Sequence, residues 1–145
     1  MKALVATVLV FFALQSGAQP PILRDAEATA KKEGKLILIA FSGSDWCIPC
    51  IRLEKEVFTG EAFKSYAASH LVVLHADFPR LKKHQLPKDQ KKTNEALAAL
   101  YNTEGNFPYT VLLSATGAPL KTWDGNSVGT PQAFVAQLQA LAHDK

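Results

Sequence analysis

Cysteine is scarce in this chain: 145 residues hold two, Cys47 and Cys50. They stand three residues apart. A bridge closing so short a loop constrains the unfolded chain little, so the pair is poorly suited to stapling a fold. A structural zinc site usually takes four ligands. There is no second cysteine pair, and the four histidines show no ligand spacing, so no metal is expected. Long apolar runs are also lacking. The longest, Ala3 to Leu14, has about a dozen residues, and a membrane span needs ~20. Charge of one sign does not dominate. A formal net charge of +3 does not by itself point to nucleic acid, whose partners carry a concentrated basic face. Internal repeats and low-complexity segments are absent. What remains is ordinary for one globular domain, 48% hydrophobic and 20% charged.

The start of the chain reads as an export signal. Met1-Lys2 supplies a positive end, Ala3 to Leu14 an apolar stretch, and Ser16-Gly17-Ala18 the small residues at which a peptidase cuts. The expected division is a signal peptide at 1–18 and one domain at 19–145. No stable membrane insertion is expected after cleavage, and no cysteine near the cut offers a lipid anchor. The expected location is the periplasm or outside the cell. In such an oxidising compartment cysteines normally pair as staples; a lone close pair points instead to chemistry.

Hydrophobic pattern and punctuation predict the elements. Arg24 to Lys32 is a helix stopped by Gly34. Leu36 to Phe41 is a continuous apolar run, suited to a strand buried on both faces. Cys47 opens a helix after the Ser42–Trp46 loop, broken or kinked at Thr59-Gly60, and Glu61 to Ala68 continues helically. Leu71 to Ala76 is a second central strand. Arg80 to Lys92 reads as a solvated, lysine-rich loop leading into a helix from Glu95 to Tyr101 that buries Leu97, Leu100 and Tyr101. Tyr109 to Leu113 and Leu120 to Trp123 are strands joined by a turn at Thr116–Pro119. Thr130 caps a last helix with Pro131 at its first position, burying Phe134, Val135, Leu138 and Leu141. Strands alternating with helices imply parallel crossovers, and the closing hairpin adds an antiparallel pair. The fold class is α/β, a three-layer sandwich with a mixed sheet.

The segment Trp46-Cys47-Ile48-Pro49-Cys50 lies between the buried strand and the helix. At a helix N-terminus Cys47 meets unpaired N–H groups and the positive end of the dipole. Cysteines so placed have pKa values lowered from about 8.5 into the range ~3.5–7.5, and the thiolate is the attacking species in disulfide exchange. Cys50, one turn on, is placed to resolve a mixed disulfide. Pro49 fits the first helical turn.

This constellation resembles the thioredoxin superfamily. The run Phe41 to Cys47, followed by Leu53-Glu54-Lys55-Glu56-Val57-Phe58, is similar to exported bacterial thioredoxin-like domains. The resemblance covers roughly Ile22 to Ala142 and is most specific around residues 36–58. It implies a thiol–disulfide oxidoreductase acting on exported proteins, with Cys47 attacking and Cys50 resolving. It implies no cofactor beyond the dithiol, protein thiols or disulfides as substrates, and a redox partner that the sequence does not identify. Phe107-Pro108-Tyr109-Thr110 matches the family's cis-proline, whose neighbouring backbone pairs with the substrate chain. Trp46, Phe107 and Pro108 are thereby the expected substrate-binding residues. Two departures stand out. The family's buried Asp before the motif is missing, its neighbourhood here being Ala40-Phe41. His75 on the next strand is the candidate for the proton transfer, histidine being the side chain that changes charge near neutral pH. The middle dipeptide Ile48-Pro49 lacks the histidine of strong oxidants, which favours reduction or isomerisation over oxidation. The alternative is a non-catalytic binding or chaperone-like module on the same fold.

Overall fold

The computed structural model describes residues 19–143; the expected export signal at 1–18 lies outside them. Helix α1 (Pro21–Glu33) starts with proline in its first turn and stops at Gly34, whose φ of 67° is the left-handed conformation glycine adopts without strain. Its buried residues Leu23, Ala26 and Ala30 recur at helical spacing. Strand β1 (Leu36–Ser42) is buried from Leu36 to Phe41, as a continuous apolar run requires.

β1 lies inside a four-stranded mixed sheet of order β2-β1-β3-β4. Strand β2 (Leu71–Asp77) runs parallel to it, with Ala40 opposite His75. Strand β3 (Tyr109–Leu113) runs antiparallel on its other side. Strand β4 (Pro119–Asp124) closes the hairpin onto β3. Because side chains alternate across a strand, β1 feeds two cores. Leu36, Leu38 and Ala40 pack with Leu53, Val57, Phe58, Phe63, Phe134 and Leu138. Ile37, Ile39 and Phe41 pack with Leu23, Ala26 and Leu97 on the opposite face. Each such buried leucine, isoleucine or phenylalanine side chain contributes roughly 1.5–3 kcal/mol of transfer free energy. The result is three layers, as expected.

Helix α2 (Ile48–Leu53) continues directly into a π-helical turn, Glu54–Phe58, which brings Val57 and Phe58 into the core before the chain breaks at Thr59-Gly60. Helix α3 (Glu61–His70) follows. Helix α4 (Lys88–Tyr101) starts seven residues before the expected Glu95. The expected burial of Leu100 is wrong: it is 49% exposed. The inward stripe runs instead through Asn94, Leu97, Ala98 and Tyr101, and Leu100 falls off it. Tyr101 is half-buried and donates its hydroxyl to the Gly117 carbonyl at 2.9 Å. Helix α5 (Pro131–His143) is capped by Thr130, whose hydroxyl accepts from the Ala133 N–H at 3.2 Å. Among the described residues no helix is long and apolar enough to cross a membrane.

Candidate active site

Everything at the site follows from the short crossover between β1 and α2. Cys47 is the N-cap of α2, extended at φ −91° and ψ 96°, and its sulfur accepts from the Cys50 N–H at 3.3 Å. Pro49 takes a first-turn position, where it removes no helical hydrogen bond. Cys47 and Cys50 form a disulfide with Cα atoms 5.2 Å apart. Both are nearly covered, at 5% and 3% exposure. Beside them Ile48 is 65% exposed, so the helix presents an apolar lip to solvent at the disulfide.

Trp46 is locked in place. Its indole N–H donates to the Phe78 carbonyl at 2.7 Å, and its ring meets Phe107 edge-on with centroids 5.5 Å apart. Phe107 in turn meets Phe78 at 5.4 Å. The Arg80 guanidinium sits 3.6 Å above the Trp46 ring centroid, a cation–π contact. Gly43 is buried beneath the same indole; a Cβ there would overlap the ring. The Phe107-Pro108 peptide bond is cis, as the family landmark requires. Trp46 and Phe107 thus share one aromatic wall.

Two carboxylates fasten this wall across the crossover. Asp77, the last residue of β2, accepts from the Ser44 and Phe78 N–H groups, each at 2.9 Å. Asp45 accepts from the Arg80 and Leu81 N–H groups at 2.9 Å each, and His84 lies at 3.1 Å. Desolvation works against its ionisation, but these hydrogen bonds outweigh it and hold the Asp45 carboxyl below the usual aspartate range. Asp45 therefore serves the 80–84 segment.

Ala40 and Phe41, where the family's acid is missing, are 4% and 1% exposed. His75, opposite Ala40 on β2, is exposed, with Phe58 edge-on at a centroid distance of 6.3 Å. It lines a small cleft together with Ala40, Cys50, Pro108 and Thr110. A larger cavity of about 560 Å³ also has both Cys50 and His75 on its wall, with Ser42, Glu54, Lys55 and Asp77. The structure therefore brings His75 to the inner cysteine's side and Trp46 and Phe107 to the other side of the motif. Sequence reading missed Gly43, Asp77, Phe78 and Arg80. The partners of Asp77, Phe78 and Arg80 lie 32 to 36 residues away along the chain, beyond any local pattern; Gly43 meets Trp46 only three residues on, through a loop conformation that no periodicity displays.

Comparison with known proteins agrees with this geometry. A family model described as a thioredoxin-like domain matches residues 23–142. The chain is 35% identical over 111 residues to the disulfide bond reductase DsbH of Chlamydia pneumoniae, an alignment covering 77% of this chain and 64% of that protein. The chain thus spans less than two thirds of that relative's length. A solved structure of a DsbH oxidoreductase superposes with a TM-score of 0.73 at 30% identity, covering 84% of this chain and 82% of the other. A disulphide isomerase from Xylella fastidiosa shares the fold at 18% identity, with a TM-score of 0.61 and coverage of 88% and 93%.

Proposed function

We propose that this chain, which belongs to the thioredoxin-like family, is an exported protein-disulfide reductase working through Cys47 and Cys50. The observation that carries the reading is the bonded pair at the start of α2, with the Cys50 N–H directed at the Cys47 sulfur. In the reduced form that N–H and the helix N-terminus favour a thiolate on Cys47. The thiolate attacks one sulfur of a substrate disulfide, forming a mixed disulfide and releasing the other substrate sulfur as a thiolate. Cys50, deprotonated, then attacks the Cys47 sulfur. The Cys47–Cys50 bond forms, the second substrate thiolate leaves, and two electrons have passed to the substrate. A dithiol donor, chemically the reverse reaction, returns the pair to its reduced state.

Trp46, Phe107 and Pro108 form the platform on which the substrate backbone lies, pairing as a short added strand. His75 takes up the proton of Cys50 from the cavity side, in place of the family's buried acid. Isomerisation uses the same first step and ends when a substrate thiol, rather than Cys50, resolves the intermediate. The DsbH relatives and the paired cysteines support reduction over a binding module that never turns over.

Insulin reduction with dithiothreitol tests the reading. The wild type is expected to accelerate precipitation, and Cys47→Ser to fall to the rate of dithiothreitol alone. Cys50→Ser is expected to accumulate partners in mixed disulfides visible on non-reducing gels. Wild-type protein no faster than dithiothreitol would end the proposal.

A further inference from the structure

Positive charge is concentrated in one segment. Between Arg80 and Lys92 stand six lysines and arginines against the single acid Asp89. That is an excess of five in a chain whose total is +3, so the rest of the chain is net negative by two. All of these cations are exposed. Lys91 lies 4.0 Å from Glu95, and His84 contacts Asp45. Among the described residues Arg80, Lys82, Lys83, Lys88 and Lys92 have no carboxylate within ion-pair distance.

A lysine run is ordinarily just a solvated face. This one is fastened to the active site. Asp45, adjacent to Trp46, holds the backbone of Arg80 and Leu81, and the Arg80 side chain covers the Trp46 ring. Gln85 adds a hydrogen bond from its side-chain amide to the Pro79 carbonyl at 3.0 Å. Between the basic segment and the aromatic wall lies a cavity of about 260 Å³, lined by Trp46, Phe78, Arg80, Gln85, Lys91 and Phe107. Asp77 borders it too, but its carboxylate is taken up by Ser44 and Phe78. The cavity therefore offers apolar rings on one wall and two cations on the other, Arg80 without a carboxylate partner and Lys91 at 4.0 Å from Glu95.

We propose that this basic rim docks an acidic stretch of the polypeptide substrate, flanking the disulfide to be reduced. This rests on the redox reading above and names its substrate class. One residue of the stretch enters the cavity lined by Phe78, Gln85, Lys91 and Phe107, with Arg80 staying on the Trp46 ring, and its acidic neighbours face Lys82 and Lys83. Charge complementarity of this kind steers encounter and selects partners more than it adds raw affinity. Arg80 and Lys91 border a concave cavity that shares Trp46 and Phe107 with the wall beside the disulfide, which suits an extended peptide better than a flat anionic membrane.

Binding decides the matter without turnover. Two fluorescent peptides share one intramolecular disulfide and differ only in flanking residues, glutamates or lysines. Each is titrated onto the oxidised chain by anisotropy. At low ionic strength the acidic peptide is expected to bind at least about tenfold tighter, a preference falling below about twofold near 0.5 M salt as the charges are screened. The triple variant Lys82→Glu, Lys83→Glu, Lys91→Gln is expected to lose the preference. Equal affinities at low salt, or a preference that survives in the variant, overturn the inference. So does neglect of the acidic peptide while vesicles of phosphatidylglycerol are bound. Failure here with insulin reduction intact removes the docking surface alone; failure of insulin reduction removes the activity.

Discussion

Gly43 is where a single atom matters most. Its Cα lies against the Trp46 indole, and that indole is fixed by the Phe78 carbonyl and by Phe107. Gly43→Ala is expected to cost about 1–3 kcal/mol by overpacking, read in urea denaturation together with an altered tryptophan spectrum. Asp45 gives a pH prediction. Its carboxyl titrates below the ordinary range when folded. A depressed folded value contributes stability above the unfolded pKa, lost as pH falls through the folded one. The wild type is therefore expected to lose more stability than Asp45→Asn between about pH 4 and about pH 2, since asparagine cannot titrate. For His75, the pH profile of thiol alkylation in His75→Ala is the measure. A shifted profile is expected, and an unchanged one removes His75 from proton transfer.

At the scale of elements, the π-helical turn after α2 depends on α5. Phe134 is fully buried and meets Phe58, Phe63 and Trp123, with centroids 5.0 to 6.1 Å apart. Phe134→Ala is expected to cost about 3–5 kcal/mol in urea denaturation through the cavity it leaves. The elements themselves were largely legible in the sequence. The run Leu36–Phe41 suited a doubly buried strand by its length and β-branched content, Gly34 and Thr130 marked helix ends, and the Cys47–Cys50 spacing beside a strand-to-helix junction marked the site. What escaped has a physical reason. Lys88 to Thr93 is helical without an apolar residue to display a period, so the start of α4 was hidden and Leu100 was placed inward. The π turn changes the helical phase, which a fixed 3.6-residue period does not anticipate. Arg80 and Phe78 reach the site only through long-range contacts.

For the whole molecule, the disulfide is a small part of what keeps it folded. A bridge across so short a loop contributes about 2 kcal/mol by loop-closure entropy, whereas two cores pack against β1. The reduced chain is accordingly expected to keep the same far-ultraviolet circular dichroism and to unfold cooperatively, at a urea midpoint only modestly lower. A reduced form that is unfolded at neutral pH would contradict this, and an enzyme cycling between the two states could not tolerate it. The paired carboxylates have one more effect. Asp77 and Asp45 accept the amide protons of Ser44, Arg80 and Leu81, while the Phe78 N–H is shared between Asp77 and the Ser42 carbonyl at 2.8 Å. In deuterium oxide the first three protons should then be released by a shared opening event, as a cooperative unit. Loosening either aspartate should let deuterium into Ser44, Arg80 and Leu81 together while Phe78 stays protected by Ser42, so the strap beside the disulfide breathes as a single flap.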